Sequence, residues 1–115
     1  MPYLSIVTNC LVSANQEKEL LRSLSAKCSE WLEKPEAFVM VRVKAGEKLA
    51  FAGTEEPAIY GELFSIGLSS SDVPLLSAAI CDFLENSLSV SKDRIYLNFR
   101  DVPREFWGWK GRTFA

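Results

Sequence analysis

Histidine is absent from this chain of 115 residues, and cysteine and glycine are scarce. Without histidine there is no Ser-His or Cys-His nucleophile pair and no histidine ligand for a metal ion. Cys10, Cys28 and Cys81 are odd in number and widely spaced, which argues against a disulfide framework and a thiolate zinc site. The six glycines form no phosphate-binding loop. We therefore expect no metal and no cofactor, so any catalysis must use a less common group.

Clustered charge and long apolar runs are also missing. The 13 basic and 15 acidic residues give a net charge of −2, and no basic stripe is present that could neutralise a nucleic-acid backbone. No apolar run is long enough to cross a bilayer, and the N-terminus lacks the pattern of a secretory signal. We expect no nucleic-acid partner, no membrane insertion and a cytoplasmic location. Export by a route that needs no signal peptide stays open.

What is present is the composition and periodicity of one globular domain spanning residues 1–115. Hydrophobic residues make up 48% of the chain and charged residues 24%. Strand patterns alternate with helical periodicity and predict two β-α-β pseudo-repeats, at about 2–50 and 58–105. The predicted strands cover residues 3–8, 38–43, 59–68 and 95–99, the predicted helices begin at the capping sequences 13–16 and 69–74, and 49–53 is either a short extra strand or a bend.

Right-handed crossovers would place both helices on one face of a four-stranded mixed sheet, an α+β fold of two layers. The second strand, 38–43, is apolar almost throughout, so we expect it to be buried. Strands as apolar as these are not expected to leave a whole sheet face in water. The pattern therefore favours self-association through that face into a closed ring.

Pro2 directly follows Met1 at the start of the first strand. In the simplest interpretation it only permits removal of Met1 by an aminopeptidase. In the other interpretation, the exposed secondary amine of Pro2 is a general base. Burial or a nearby cation lowers the pKa of an amine, and a base works best when its pKa lies near neutrality. Tyr3 and other aromatic side chains would supply the burial.

Three further features have both a structural and a functional interpretation. Lys34 follows the first helix, where it either stabilises the helix dipole and the last carbonyls or binds a substrate carboxylate. Tyr96 and Asn98 share one face of the last strand, and Asn98 is either a surface residue, a satisfied buried amide or a site residue. Four aromatic residues in the tail 106–115 form either a docked segment or the rim of a pocket.

Several segments in this order resemble the macrophage migration inhibitory factor family of the tautomerase superfamily. They are "MPYLSIVTN" at the start, "EKP" after the first helix, "LAFAGTEEP", "SIG", "DRIYLNF" and, at the end, "GW" followed by "TFA". The resemblance implies a homotrimer with the helices outside and three active sites at subunit boundaries. It also implies a keto–enol tautomerase that acts on small aromatic α-keto acids such as phenylpyruvate, with dopachrome-like compounds as further substrates.

The same resemblance implies a set of site residues. Pro2 would be the base after loss of Met1, Lys34 the cation, and the backbone N–H of Ile66 a donor to the substrate carboxylate or carbonyl. The remaining positions are Tyr96 and Asn98 from the neighbouring subunit, with Tyr3, Phe64, Trp107, Trp109 and Phe114 as walls of the pocket.

The sequence departs from the best-known family members in two respects. Ala58 and Gly61 occupy the places of a CxxC pair, so thiol–disulfide activity is not expected. Tyr3, Phe64 and Trp107 replace methionine, histidine and valine, which makes the predicted pocket bulkier and more apolar. Two other functions stay open, a cytokine-like signalling or binding protein with little turnover and a small-ligand module in which Pro2 is incidental. The sequence indicates no receptor.

Overall fold

The computed structural model describes residues 1–115 and contains two long helices and a four-stranded sheet. The strands of this sheet and the helices, in chain order, are β1 (Tyr3–Thr8), α1 (Ala14–Leu32), β2 (Met40–Lys44), β3 (Ile59–Ser65), α2 (Val73–Leu88) and β4 (Ile95–Asp101). The tail adds the two-stranded ribbon of β5 (Gly108–Trp109) and β6 (Arg112–Thr113). Neither helix is long and apolar enough to cross a membrane.

The strand order in the sheet is β2-β1-β3-β4. The outer pairs β1–β2 and β3–β4 are parallel, and the central pair β1–β3 is antiparallel. Each parallel pair is joined through one helix, which gives the two predicted β-α-β units. The predicted two-layer α+β fold is therefore confirmed. Since β1 and β3 are antiparallel, the beginning of β1 lies beside the end of β3, and Tyr3 pairs with Phe64.

One hydrophobic core lies between the sheet and the two helices. Alternate strand residues such as Leu4 and Leu63 enter it, together with helix residues such as Leu24 and Ile80. Helix α1 begins with the predicted capping box, in which Ser13 and Gln16 bond reciprocally to each other's backbone N–H. Leu97 and Phe99 of β4 pack against the core beside Ile95, as the alternation predicts; Tyr96 and Asn98 take the outer face.

Strand β2 differs from the prediction in position and in burial. The structure has a short 3-10 turn over Glu36–Phe38, and the strand begins at Met40. Its residues alternate between exposed and half-buried, and the Met40 side chain is 65% exposed. The expected burial is wrong because β2 is an edge strand with a single neighbour, so only Val41 and Val43 reach the core.

The outer face of the sheet is also less apolar than expected. Residues that pair side by side across the strands share a face, and this face mixes aromatic, aliphatic, polar and charged side chains. Its members are Tyr3, Ser5, Val7, Met40, Arg42, Lys44, Tyr60, Glu62, Phe64, Tyr96, Asn98 and Arg100. The apolarity of the strands is concentrated on the core face, so the outer face by itself does not demand a partner.

Two other boundaries differ slightly from the prediction. Strand β3 ends at Ser65, and residues 66 and 67 form a turn in which Gly67 has a φ of 76°. The uncertain segment 49–53 is a turn with a single bridge between Phe51 and Thr54. Arg94 binds this region to β4, because its guanidinium donates hydrogen bonds to backbone carbonyls between residues 51 and 57.

Candidate active site

An apolar cleft opens where β1 begins and the tail crosses it. We call it the aromatic cleft. Its volume is about 710 Å³, and twelve of its fourteen lining residues are hydrophobic, so it suits an aromatic or aliphatic ligand. Six of the ten predicted site residues line it: Pro2, Tyr3, Phe64, Trp107, Trp109 and Phe114.

A smaller recess of about 200 Å³ adjoins the aromatic cleft, and Met1, Phe38 and Phe114 line both. We call it the cationic recess, because Lys34 and Arg104 are its only charged side chains. Ile66 and Pro35 complete its wall. Eight of the ten predicted residues therefore surround two connected cavities, one apolar and one positive.

Pro2 lines the aromatic cleft next to Met1, which lines both cavities, and its side chain is fully buried. Its carbonyl accepts a hydrogen bond of 3.0 Å from the Met40 N–H, which holds the start of β1 against β2. The α-amine of Met1 lies in the same region. Burial lowers the pKa of this amine, and the positive charge of Lys34 lowers it further; Cys28 raises it, and Arg104 adds the smallest lowering effect. An amine placed here is thus biased towards its neutral form.

Lys34 owes its position to the way in which α1 ends. Glu33 has a left-handed conformation (φ 53°), and its N–H reaches back to carbonyls of the last helical turn. The Lys34 N–H donates to the Ser29 carbonyl, so backbone groups bond to the end of the helix. The Lys34 ammonium points instead to the loop after β3, 3.5 Å from the Ile66 carbonyl oxygen. The ammonium therefore does not bond to the last carbonyls of α1, and its binding of a substrate carboxylate stays a prediction.

Ile66 follows the last residue of β3, and its side chain is 7% exposed. Its N–H donates no hydrogen bond within the chain. Backbone N–H groups in a buried setting normally have an acceptor, so a free donor beside an ammonium is suited to an anionic ligand atom. The turn that follows is held by Asp101, which accepts hydrogen bonds from the N–H groups of Gly67 and Leu68.

The aromatic walls are ordered by mutual contacts. Trp109 and Phe114 are stacked, with ring centroids 5.6 Å apart and planes inclined by 7°. Phe38 meets Trp109 edge to face at 5.7 Å, and Tyr3 meets Phe64 in the same manner at 6.3 Å. These contacts place flat apolar surfaces on both sides of the aromatic cleft.

Tyr96 and Asn98 do not reach either cavity within the chain. Tyr96 pairs with Tyr60, whereas Phe64, which lines the aromatic cleft, lies four residues further along β3. Tyr96 is therefore about 13 Å from the position beside Phe64. Its ring packs on Phe51 at 4.8 Å and the residue is 64% exposed. The Asn98 amide donates to the Tyr60 hydroxyl at 3.3 Å. Their assignment to the site of a neighbouring subunit stays a prediction.

Among the lining residues that sequence reasoning missed, Phe38 and Arg104 bear most directly on a ligand. Phe38 lines both the aromatic cleft and the cationic recess, but the pattern had placed it in a strand. Arg104 lines the recess from the 3-10 turn of Arg104–Phe106, after Pro103. The "KPEAF" segment offered a sequence signal for the position of Phe38, since a 3-10 turn often follows a proline that ends a helix. No local sequence feature distinguishes Arg104 from other exposed arginines.

The positions that replace the CxxC pair are both enclosed. Ala58 is 3% exposed, and a Cβ added at Gly61 would come within 2.7 Å of Leu97 Cδ2 and 3.0 Å of Ile6 Cδ1. The remaining cysteines are free. Burial raises the pKa of the Cys28 thiol to about 11, so this thiol is protonated at neutral pH.

Comparison with known proteins identifies the family of the chain. The family model described as "Macrophage migration inhibitory factor (MIF)" matches residues 1–115. A macrophage migration inhibitory factor homolog of Trichuris trichiura is 34% identical over 99% of this chain and 100% of its own. The crystal structure of a homologue from Prochlorococcus marinus is 38% identical with a TM-score of 0.92, covering 98% of this chain and 99% of that one. The structure of the Trichinella spiralis factor is 32% identical with a TM-score of 0.89, covering 96% and 98%. The chain belongs to the macrophage migration inhibitory factor family.

Proposed function

We propose that this protein is a keto–enol tautomerase of small α-keto acids such as phenylpyruvate, with the α-amine of Pro2 as general base after removal of Met1. Membership of the family supports a tautomerase-like or MIF-like function in general. The observation that carries the finer proposal is the position of Pro2, which is buried in the wall of the aromatic cleft and directly follows Met1, a residue that also lines the recess of Lys34.

In the proposed reaction the neutral Pro2 nitrogen takes a proton from the carbon beside the keto group. The electron pair of that C–H bond forms the new C=C bond, and the pair of the C=O bond moves onto oxygen. The protonated proline then returns the proton to the enolate oxygen, which yields the enol and restores the free amine. The step balances without a metal, a redox partner or a cofactor.

Lys34 and the free N–H of Ile66 would hold the substrate carboxylate and stabilise the negative charge that develops on the enolate. The aromatic ring of the substrate would lie in the aromatic cleft, between Tyr3 and Phe64 on one side and Trp109 on the other. Burial in this cleft, together with Lys34, would keep much of the proline amine neutral.

The decisive experiment compares protein that retains Met1 with protein that has lost it, each verified by intact mass, in one phenylpyruvate assay. With Met1 attached, the Pro2 nitrogen is an amide without a basic lone pair, and Met1 lines both cavities. We expect the rate to fall by at least the ~10²- to 10⁴-fold attributed to a positioned general base. Equal rates in the two samples would show that Pro2 is not the base.

We also propose that the active unit is a homotrimer in which Tyr96 and Asn98 complete the site of a neighbouring subunit. Both lie on the outer sheet face, away from the cavities of their own chain, and the family fold supports an oligomeric assembly. Light scattering should give three times the chain mass of 12.9 kDa at micromolar concentration. A stable monomer with full turnover would contradict the shared site.

A second candidate is a signalling or binding protein of the MIF type with little or no turnover, which the names of the relatives favour. The two candidates differ in their dependence on the amine. A binding function should tolerate retained Met1, whereas turnover should not. Phenylpyruvate activity at the background level in verified Met1-free protein would favour the second candidate.

A further inference from the structure

The cationic recess contains one positive charge more than the proposed reaction uses. Lys34 and Arg104 both line it, and no carboxylate does. Phenylpyruvate has one carboxylate, for which Lys34 and the Ile66 N–H already provide donors. Arg104 therefore lines a small cavity in which no acidic side chain pairs with it, and an anionic group of a ligand would supply the missing partner.

Arg104 is free of partners within the chain. Its guanidinium forms neither an ion pair nor a hydrogen bond. The nearby acid Asp101 is occupied by the backbone N–H groups of the turn after β3. By contrast, Arg94 donates to four backbone carbonyls and Arg100 packs over the Phe64 ring.

The backbone of Arg104 is nevertheless held in place. It begins the 3-10 turn of Arg104–Phe106, and its carbonyl accepts a hydrogen bond of 3.3 Å from the Trp107 N–H. Trp107 in turn accepts from the Phe114 N–H. Arg104 and Lys34 both line the cationic recess, so their two positive charges border the same cavity.

On this geometry, and resting on the proposed tautomerase function, we propose that Arg104 binds a second carboxylate and that the preferred substrates are 2-oxo dicarboxylic acids. Lys34 would bind the carboxylate next to the keto group. The planar guanidinium would bind the other carboxylate through two parallel N–H groups, which an ammonium cannot do. Because both cations line one small recess, the two carboxylates must be close together in the substrate.

The test uses two probes of equal carbon count, 2-oxobutanedioate and 2-oxobutanoate, which differ only in a terminal carboxylate or methyl group. The quantity measured is the ratio of their kcat/KM values for enolisation by Met1-free protein. Arg104→Gln should lower this ratio by about 10-fold, the lower end for loss of a charge-assisted hydrogen bond, because Arg104 is exposed. Arg104→Lys should recover part of the preference.

Arg22→Gln is the matched control, because it removes the same charge from an exposed position in α1. It should leave the ratio at the wild-type value. Higher ionic strength should reduce the preference of the wild-type protein, since an exposed charge pair is screened. Circular dichroism establishes that each variant is folded.

Three outcomes would overturn the proposal: no wild-type preference for the dicarboxylate, an unchanged ratio in Arg104→Gln, or an equal loss on both probes. An equal loss would mean that Arg104 acts on the shared carboxylate or on the amine. Failure of the tautomerase function is distinguishable, because neither probe nor phenylpyruvate would then turn over. In that case calorimetry would measure the binding of the same two probes to the wild-type protein and to Arg104→Gln, which still tests whether Arg104 binds the second carboxylate. Equal affinities of the two proteins for the dicarboxylate would overturn the proposal.

Discussion

The two β-α-β units share one backbone plan and differ in what they do with it. In each unit the helix ends in a left-handed residue, Glu33 with φ 53° in the first and Ser89 with φ 56° in the second. Each then passes through a 3-10 turn into a strand parallel to the first one. In the first unit the residue after the cap is Lys34, whose ammonium faces a cavity; in the second it is Val90, which is completely buried.

The strands that begin the two units show the same contrast. Pro2, before β1, faces the aromatic cleft, whereas Ala58, before β3, is held by hydrogen bonds from Thr8 Oγ1 and to Asn9 Oδ1. Arg94 closes that end further by binding four carbonyls. The backbone thus provides two equivalent ends. Side chains fill the closed end, around Ala58 and Val90, and leave the open end, around Pro2 and Lys34, accessible to a ligand.

The largest effect should follow from moving the cation to the closed end. Val90→Lys would place an ammonium among core residues with no acid prepared for it. Leaving a buried charge uncompensated costs on the order of 3–5 kcal/mol, so the free energy of unfolding should fall by about that amount. Denaturant unfolding measures it. A loss below about 1 kcal/mol would contradict the difference between the two ends, because ordinary surface substitutions change stability by about 0.5 kcal/mol.

The reciprocal change removes the cation from the open end. Lys34→Ala should raise KM for phenylpyruvate about 10- to 150-fold, the equivalent of one lost charge-assisted hydrogen bond, with the fold intact. Steady-state kinetics and a melting curve together test this, with the exposed Lys18→Ala of α1 as the matched control. An unchanged KM with a lower melting temperature would return Lys34 to a purely structural role at the end of α1.

A third change acts on Gly61, which lies inside β3 between the two ends. Gly61→Cys, which restores one cysteine of the family pair, should lower the free energy of unfolding by about 1–3 kcal/mol because the new Cβ meets Leu97 and Ile6. Gly61→Ala should show most of the same loss, since the clash begins at Cβ. Full stability in both variants would contradict the close packing at this position.

The smallest expected effect is a shift in pH dependence. Burial and the nearby cations lower the pKa of the α-amine at the open end, and the proline amine of Met1-free protein should behave alike. The neutral amine is the base, so kcat/KM should rise as pH increases through this pKa. The midpoint should lie below about 8, the usual value for an α-amine. Lys34→Ala should move the midpoint upwards, and a midpoint that stays above about 8 in the wild type would argue against a desolvated proline base.

The local chemistry of the chain was readable from the sequence. The capping box at Ser13 and Gln16 was predicted and is present, because it needs only residues three apart. The alternation in β4 correctly divided Tyr96 and Asn98 from Ile95, Leu97 and Phe99, because successive side chains of a strand point to opposite faces.

Other features depended on neighbours that the sequence does not name. The exposure of β2 follows from its edge position, and the fit of Gly61 follows from Leu97 on the adjacent strand. Phe38 was assigned to a strand, although the chain makes one 3-10 turn first. Arg104 lies 70 residues after Lys34 in sequence, and only the path of the tail brings the two charges to one recess.

By itself the sequence determined the two helices and the four strands of the main sheet, their order, the apolar faces of the helices and of β4, and most of the residue types suited to a proline-based site. The tertiary structure alone decided which of those residues meet. The antiparallel pairing of β1 with β3 puts Tyr3 beside Phe64, and the ribbon of β5 and β6 folds Trp109 onto Phe38. Secondary-structure propensity and the periodicity of apolar residues act over a few residues. The meeting of distant side chains at one site depends instead on strand register and on packing between segments far apart in sequence. The position of the cleft that Pro2 lines beside the recess that Lys34 lines is therefore a property of the folded chain.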